Sequence, residues 1–276
     1  MKNKIKGLSV FIMSIALVSV LGGCSKSEKK KIVIKGSTTV LPITQKAAEA
    51  YQKINKNVSI SIEGSGSGNG IRALIEGNCD IANASRAMKS KEKRKASSKG
   101  IMAKEIVVAL DMIVPVVHPT NKIGNLTLDQ LKAIYEGKVT NWKEVGGDNE
   151  NIVVVSRDTS SGTYEVWHKL VMKKQEVKKN SLLQASNGAV LTTVAKNKKA
   201  IGYVGYGYLN NSIKPLTVNG IQGTISNGKS KTYPISRDLY MYVNRHKLNK
   251  ETQGFIDFIL GSQGQRLVKE TGFIPR

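Results

Sequence analysis

Three times in this chain a run of β-branched residues ends in a knot of glycine, serine and threonine, and a helical pattern begins at once: IVIKGSTTV, SISIEGSGSGNGI and IVVVSRDTSSGTY. A strand that turns straight into a helix needs that helix to carry the chain back over the sheet, so the pattern demands parallel strands covered by helices. From Lys31 the text reads strand KIVIKG, helix LPITQKAAEAYQKI, strand VSISIEG, helix GIRALIEG, strand CDIANAS. In the first helix Val40, Leu41, Ile43, Ala47, Ala48, Tyr51 and Ile54 fall near a helical period and supply a face to bury. Pro42 sits in its first turn, where a missing N–H costs little. Further on, EIVVALDMIVPVVHP is long enough to leave one lobe and enter another, and YPISRDLYMYVN offers the return. The chain then closes on KETQGFIDFILGSQGQRLVKETG, read as one helix. The expected fold class is α/β: two lobes joined by two extended crossings, with a cleft between them.

The knots carry the chemistry. At a helix start the first backbone N–H groups lack partners and the macrodipole is positive. Glycine lets an anion approach those donors, and serine or threonine adds hydroxyls. Taken singly, a serine or threonine before a helix is an ordinary N-cap, and GSGSGNG reads equally as a tight turn. Arg157 breaks that reading, because a cap needs no guanidinium beside it. With Ser160, Ser161, Gly162 and Thr163 it offers a planar fork plus helix-start donors, a set suited to a tetrahedral oxyanion. The alternative is a salt bridge from Arg157 to Asp158 or another carboxylate.

The N-terminus says where such a protein works. Lys2, Lys4 and Lys6 precede an apolar stretch, Leu8 to Leu21, interrupted only by serines. This describes an export signal over residues 1–23, too short for a comfortable membrane span. Leu21, Gly22, Gly23 and Cys24 resemble a bacterial lipobox, which implies an acylated Cys24 followed by a polar tether over 24–30. A plain secretory signal with a chance cysteine is the alternative. The only other cysteine is Cys79, so no internal disulfide is expected and stability must come from burial. The net charge of +23 points to an anionic neighbourhood: nucleic acid, phospholipid, an acidic wall or a small anion. Export and an aromatic content of 5% argue against nucleic acid, which needs stacking platforms. The lysines of MKSKEKRKASSKG read as a solvated basic face.

Other chemistry lacks its residues. The sequence contains no GxxxxGK[ST] nucleotide loop and no GxSxG nucleophile elbow. His118, His168 and His246 stand apart from one another and from any cysteine cluster, so neither metal nor cofactor is expected. Donors are plentiful and bases few, which favours binding an oxyanion over hydrolysis.

At this point the chain resembles the phosphate-binding proteins of the bacterial high-affinity phosphate ABC transporter, in the shorter lipoprotein branch typical of Gram-positive cells. The similarity runs from Lys31 to Arg276 through GSTTVLPI, EGSGSGNGI, DIANASR, YEGKVTNWKEVGG, SRDTSSGT, AIGYVGYGYL, YPISRDLYMYVN and GQRLVKETGFIP. It implies a type II periplasmic-binding fold, with residues 31–113 and 236–276 in one lobe and 114–235 in the other. It implies phosphate donors from Ser37, Thr38 and Thr39 (its backbone N–H), from Ser67, and from Arg157, Ser161, Gly162 and Thr163. One position departs from the best-known members: their proton-accepting aspartate is here Ser85, which weakens charge-based rejection of sulfate. Asp158 or Glu63 are candidate replacements, and Asp80 reads as a strand-end turn residue. The implied function is a monomeric, lipid-anchored receptor at the outer face of the cell membrane, not an enzyme. It would capture inorganic phosphate and deliver it to a permease of two membrane subunits and an ATPase. The rivals are a receptor for sulfate or molybdate, a hydrolase using Ser161 or Ser67, and an adhesive surface lipoprotein.

Overall fold

The alternation of β-branched runs and amphipathic helices builds one curled, mixed sheet of nine strands with helices packed against it. The computed structural model describes residues 29–276; the export signal, Cys24 and the tether as far as residue 28 lie outside the described residues. The chain first runs through β1 (Lys30–Gly36), α1 (Leu41–Ile54), β2 (Val58–Gly64), α2 (Ser67–Ile75), β3 (Ile81–Ala84), α3 (Ser90–Ser98) and β4 (Ala103–Val117). The second lobe adds β5 (Asn125–Leu126), α4 (Leu128–Glu136), β6 (Val153–Arg157), α5 (Gly162–Leu170), β7 (Leu182–Gln184), α6 (Asn187–Ala195) and β8 (Ala200–Gly205). It continues with β9 (Lys214–Pro215), β10 (Thr217–Val218) and α7 (Ile225–Lys229). The return is β11 (Ser236–Asn244), followed by α8 (Lys250–Leu260) and α9 (Ser262–Glu270).

Strand order β2-β1-β3-β11-β4-β8-β6-β7 explains how two lobes share one sheet. The 15-residue β4 pairs with β11 over its first part and with β8 from Ile113 to Val117. It therefore leaves the first lobe and enters the second without interruption, and β11 begins opposite Met112, at that same point. Leu239 pairs with Ala109 and the next residue, Tyr240, with Val107, so Val108 is an extra residue on β4, a bulge that bends and twists that strand locally. β1 lies parallel to β2 and β3, with Gly36 level with Gly64 and with Asn83. Three strand ends thus finish along one rim, the edge where open α/β sheets hold ligands.

Burial follows the sequence periods. One core cluster draws on Met112 to Ile235 plus Ile274, and two others on Ile32 to Ala109 and Leu239 to Phe273. α1 buries Ile43, Thr44, Ala47, Ala48 and Tyr51, whereas Ile54, assigned to the same face, is 65% exposed because the helix stops there. In the second lobe the Trp167 ring stacks on Tyr203 at 4.2 Å between centroids and leans on Tyr135. That contact pins α5, and with it the position of its first turn.

The C-terminal segment is two helices rather than the single one expected. Gly261 takes an extended conformation (φ −73°, ψ 170°), and α9 turns back so closely that a Cβ on Gly264 would lie 2.2 Å from the Phe258 carbonyl oxygen. Asp80 binds back to β1, accepting from Val33 N–H at 2.8 Å, as a strand-end residue does. Cys79 is a free thiol that burial pushes up to about 12, which leaves it unreactive at neutral pH.

Candidate functional site

The rim where β1, β2, β3 and β6 end is also where α2, α5 and α6 begin, and each knot buries polar residues there: Ser37, Thr38 and Thr39 from the first, Ser67 from the second, and Arg157, Ser161 and Thr163 from the third. Ser37 leaves β1 and accepts from Thr39 N–H at 3.1 Å and Val40 N–H at 3.4 Å, folding the chain into the turn that precedes α1. Its oxygen therefore acts as the cap, and the Thr39 N–H expected to serve a ligand points to Ser37 instead. The side chains of Thr38 and Thr39 face the opposite lobe. Thr38 Oγ1 accepts from Arg157 Nη2 at 3.4 Å, and Thr39 Oγ1 lies 3.1 Å from Thr163 Oγ1.

Ser67 is the first residue of α2, and its Oγ accepts from Ser85 N–H at 3.0 Å. Ser161 caps α5 by accepting from Tyr164 N–H at 3.2 Å, which leaves its hydroxyl proton free to donate. The first N–H groups of α5, on Gly162 and Thr163, have no carbonyl of their own helix to bond. Gly162 lies against the other lobe so closely that a Cβ would sit 2.3 Å from Ser67 Oγ and 2.7 Å from Ser85 Oγ. Two helix starts from opposite lobes thus face one point. Gly162→Ala is expected to cost this contact between the lobes about 1–3 kcal/mol by overpacking. Small-angle scattering should show a larger radius of gyration, and a variant as compact as the parent would refute this.

Arg157 answers the question its neighbours raise. Its Nε donates to the Gln184 carbonyl and its Nη2 to the Ala185 carbonyl, both at 2.9 Å, so the turn before α6 locks the fork in place. Nη1 is buried without a partner. Asp158 is not its counter-ion: that carboxylate accepts from Ser160 N–H at 2.8 Å and from the Ser160 hydroxyl. A buried donor held rigid yet unmatched is costly unless something else satisfies it.

Three further residues complete the cluster and escaped the sequence reading. Asn187, first residue of α6, accepts from Gly205 N–H through Oδ1 at 3.1 Å, which orients its Nδ2 toward Thr39 Oγ1 at 3.0 Å and Thr38 Oγ1 at 3.2 Å. Arg237 enters from β11 and donates through Nη1 to Thr163 Oγ1 at 3.0 Å. Its Nε and Nη2 meet Asp111 Oδ2 at 2.8 and 2.7 Å. Asp111 also accepts from Tyr206 N–H, at 2.9 Å. The available signal was Asp111 itself, a lone acid inside the apolar run of β4, since a buried carboxylate requires a cation. Burial lowers both guanidiniums from the ordinary arginine value, with Asp111 opposing the effect at Arg237. Burial pushes the Asp111 carboxyl up, against the pull of Arg237.

The lining is therefore hydroxyls, amides and two guanidiniums, with its one carboxylate occupied by Arg237. Neither candidate replacement for the missing acid reaches it: Asp158 is held by Ser160, and Glu63 pairs with Lys35 at 3.1 Å on the surface. Ser85 is buried in the ring, its Oγ 3.3 Å from Ser67 Oγ. Among the described residues no histidine or carboxylate bonds Ser67 or Ser161, so neither has a base to activate it.

The family model of the PBP superfamily domain matches residues 25–263. The phosphate-binding protein PstS of Borreliella burgdorferi is 34% identical over 96% of this chain and 96% of its own. That of Staphylococcus saprophyticus is 36% identical, over 92% of this chain and 83% of its own. A Clostridium perfringens structure with bound phosphate superposes with a TM-score of 0.85 at 37% identity, covering 90% of this chain and all of that one. An ABC-type phosphate transport receptor from Vibrio cholerae gives 0.74 at 32% identity, over 89% of this chain and all of that one. With its two lobes, its buried ring of donors and relatives of this kind along nearly its whole length, the chain belongs to the PstS phosphate-binding proteins of the PBP superfamily.

Proposed function

We propose that the ring between the lobes binds inorganic phosphate and that the protein delivers the ion to an ABC permease. The observation that carries this reading is the Arg157 guanidinium, held by two carbonyls through Nε and Nη2 while its Nη1 is buried and unmatched, beside two helix starts and a second guanidinium. A doubly charged tetrahedral ion satisfies all of them at once. Charge-assisted hydrogen bonds contribute about 1.5–3 kcal/mol each. Micromolar affinity needs about 8 kcal/mol net, so a few good donors suffice after ordering costs.

In this reading Ser37, Thr38, Thr39, Ser67 and Ser85 hold the ion from the first lobe through their hydroxyls, not through the Thr39 N–H, and Arg157, Ser161, Gly162 and Thr163 hold it from the second. Cys24 carries the acyl anchor once residues 1–23 are removed. The folded part then works as a monomer at the outer face of the cell membrane, serving a permease of two membrane subunits and an ATPase. Relatives named as phosphate-binding proteins, and the lack of a base beside Ser67 and Ser161 among the described residues, support binding without catalysis.

One feature favours a broader ligand range. With no free carboxylate in the ring, a P–OH group has only hydroxyl oxygens to donate to, so sulfate meets little repulsion. Thermal melts with phosphate, sulfate and molybdate test both readings, because an ion that binds only the folded state raises Tm. Phosphate is expected to raise Tm most, with sulfate following closely. A larger shift with sulfate would reassign the receptor, and no shift with any oxyanion would end the binding reading.

A further inference from the structure

Just outside the ring the lobes meet along a short seam. Gly68 N–H donates to the Ser160 carbonyl at 2.9 Å, and the Ser160 hydroxyl reaches the Ser65 carbonyl at 3.4 Å. Beside them the Glu165 carboxylate, on α5, sits 2.9 Å from Arg86 Nε and 2.6 Å from Lys89 Nζ of the first lobe. The seam is made by chain neighbours of the ring itself: Gly68 follows Ser67, Arg86 follows Ser85, and Ser160 precedes Ser161.

A cavity of about 600 Å³ opens on the solvent side of this seam. Five cations line it, Arg72, Arg86, Lys89, Lys91 and Lys95, against two carboxylates, Glu92 and Glu165. Both carboxylates are already engaged. Glu92 accepts from Arg86 at 2.7 and 2.8 Å and from Lys89 N–H at 2.8 Å, and Glu165 takes Arg86 and Lys89 as above. Arg72, Lys91 and Lys95 are exposed and have no carboxylate partner among the described residues. Lys91 and Lys95 stand one turn apart on the same face of α3, a like-charge spacing that costs a helix about 0.2–0.5 kcal/mol. The cations are thus concentrated beside the cleft at some local expense, although the sequence alone reads α3 as an ordinary solvated face.

We propose that this cavity is an anion-collecting vestibule, in which Arg72, Lys91 and Lys95 gather phosphate at the seam before the lobes part to admit it. A cleft lined by one sign of charge raises the local concentration and the association rate of an opposite ion, and salt screens the effect. The vestibule rests on the phosphate reading of the ring but acts on a different quantity, the rate of capture.

The test is stopped-flow fluorescence of the full chain with inorganic phosphate, for the parent and for Arg72→Gln/Lys91→Gln/Lys95→Gln. None of these three residues belongs to the ring. The association rate constant at low ionic strength is expected to fall by about fivefold to tenfold. The dissociation rate should stay unchanged, and the dependence of association on salt should flatten. Equal association rates, or a change confined to dissociation, would overturn the vestibule. A second cavity of about 900 Å³ shares Arg86, Lys89 and Glu165 with the first and carries Lys169 and Lys174. If Lys169→Gln/Lys174→Gln slows capture as much as the triple variant does, the collecting role is not specific to this cavity and the proposal fails. A failure of the phosphate reading looks different, since the parent would then show no phosphate signal at all.

Discussion

Arg157→Ala is expected to weaken phosphate binding by about 2–5 kcal/mol, the usual cost of truncating one side of a buried charge pair. That corresponds to a dissociation constant raised roughly thirtyfold to several thousandfold. The size follows from how the guanidinium is held. Its Nε and one face of Nη2 are fixed by the Gln184 and Ala185 carbonyls, so little side-chain freedom remains to be lost when an ion binds. Nη1 contributes without first having to leave another partner. Arg157→Lys keeps a charge but cannot hold both carbonyls and reach the ion, so it should fall between the parent and the alanine variant. Calorimetry on variants whose far-ultraviolet spectra match the parent gives the numbers. An unchanged dissociation constant in Arg157→Ala would remove this residue from the site.

The parts of the fold legible in the sequence were those written in local periods. β-branched runs and the apolar face of α1 follow from two- and 3.6-residue spacing, and the crossing at β4 from the length of an apolar run. What could not be read depends on contacts between distant segments. The break between α8 and α9 is set by the approach of Gly264 to the Phe258 carbonyl, 2.2 Å from where a side chain would begin, and glycines occur elsewhere in the chain without breaking a helix. The site divides in the same way. Glycine, serine and threonine at helix starts are a local signal, and Ser67, Ser161 and Gly162 stand where that signal put them. Arg237 and Asn187 are polar residues of ordinary context whose importance comes from meeting Asp111, Thr38 and Thr39 across more than seventy residues of chain. Ser85 falls between the two cases. Its position was legible, but neither carboxylate the sequence offers in place of an aspartate there reaches it, because Asp158 and Glu63 are engaged elsewhere.

Asp111→Ala should separate the two things that the Asp111–Arg237 pair does. Removing the carboxylate strands a buried guanidinium with only neutral partners, Thr163 Oγ1, Thr39 Oγ1 and the Ser85 carbonyl. Breaking a buried pair from one side costs about 3–5 kcal/mol, on the order of 10 °C in Tm for a chain of this size. In the proposed site, however, phosphate would bring its own negative charge to Thr163 and Thr39, beside that same guanidinium. The stabilisation gained at saturating phosphate should therefore be larger in Asp111→Ala than in the parent, because the ion takes over the role of the lost carboxylate. Were Arg237 only a strut between β4 and β11, the deficit in Tm would persist undiminished at every phosphate concentration. Asp111→Leu/Arg237→Met provides the second half of the experiment. Replacing a buried ion pair by apolar groups of similar volume is often neutral or better for stability. This variant should recover most of the lost Tm yet bind phosphate more weakly than the parent. A double variant with the parent's affinity would mean that Arg157 and the helix starts hold the ion without help from β11.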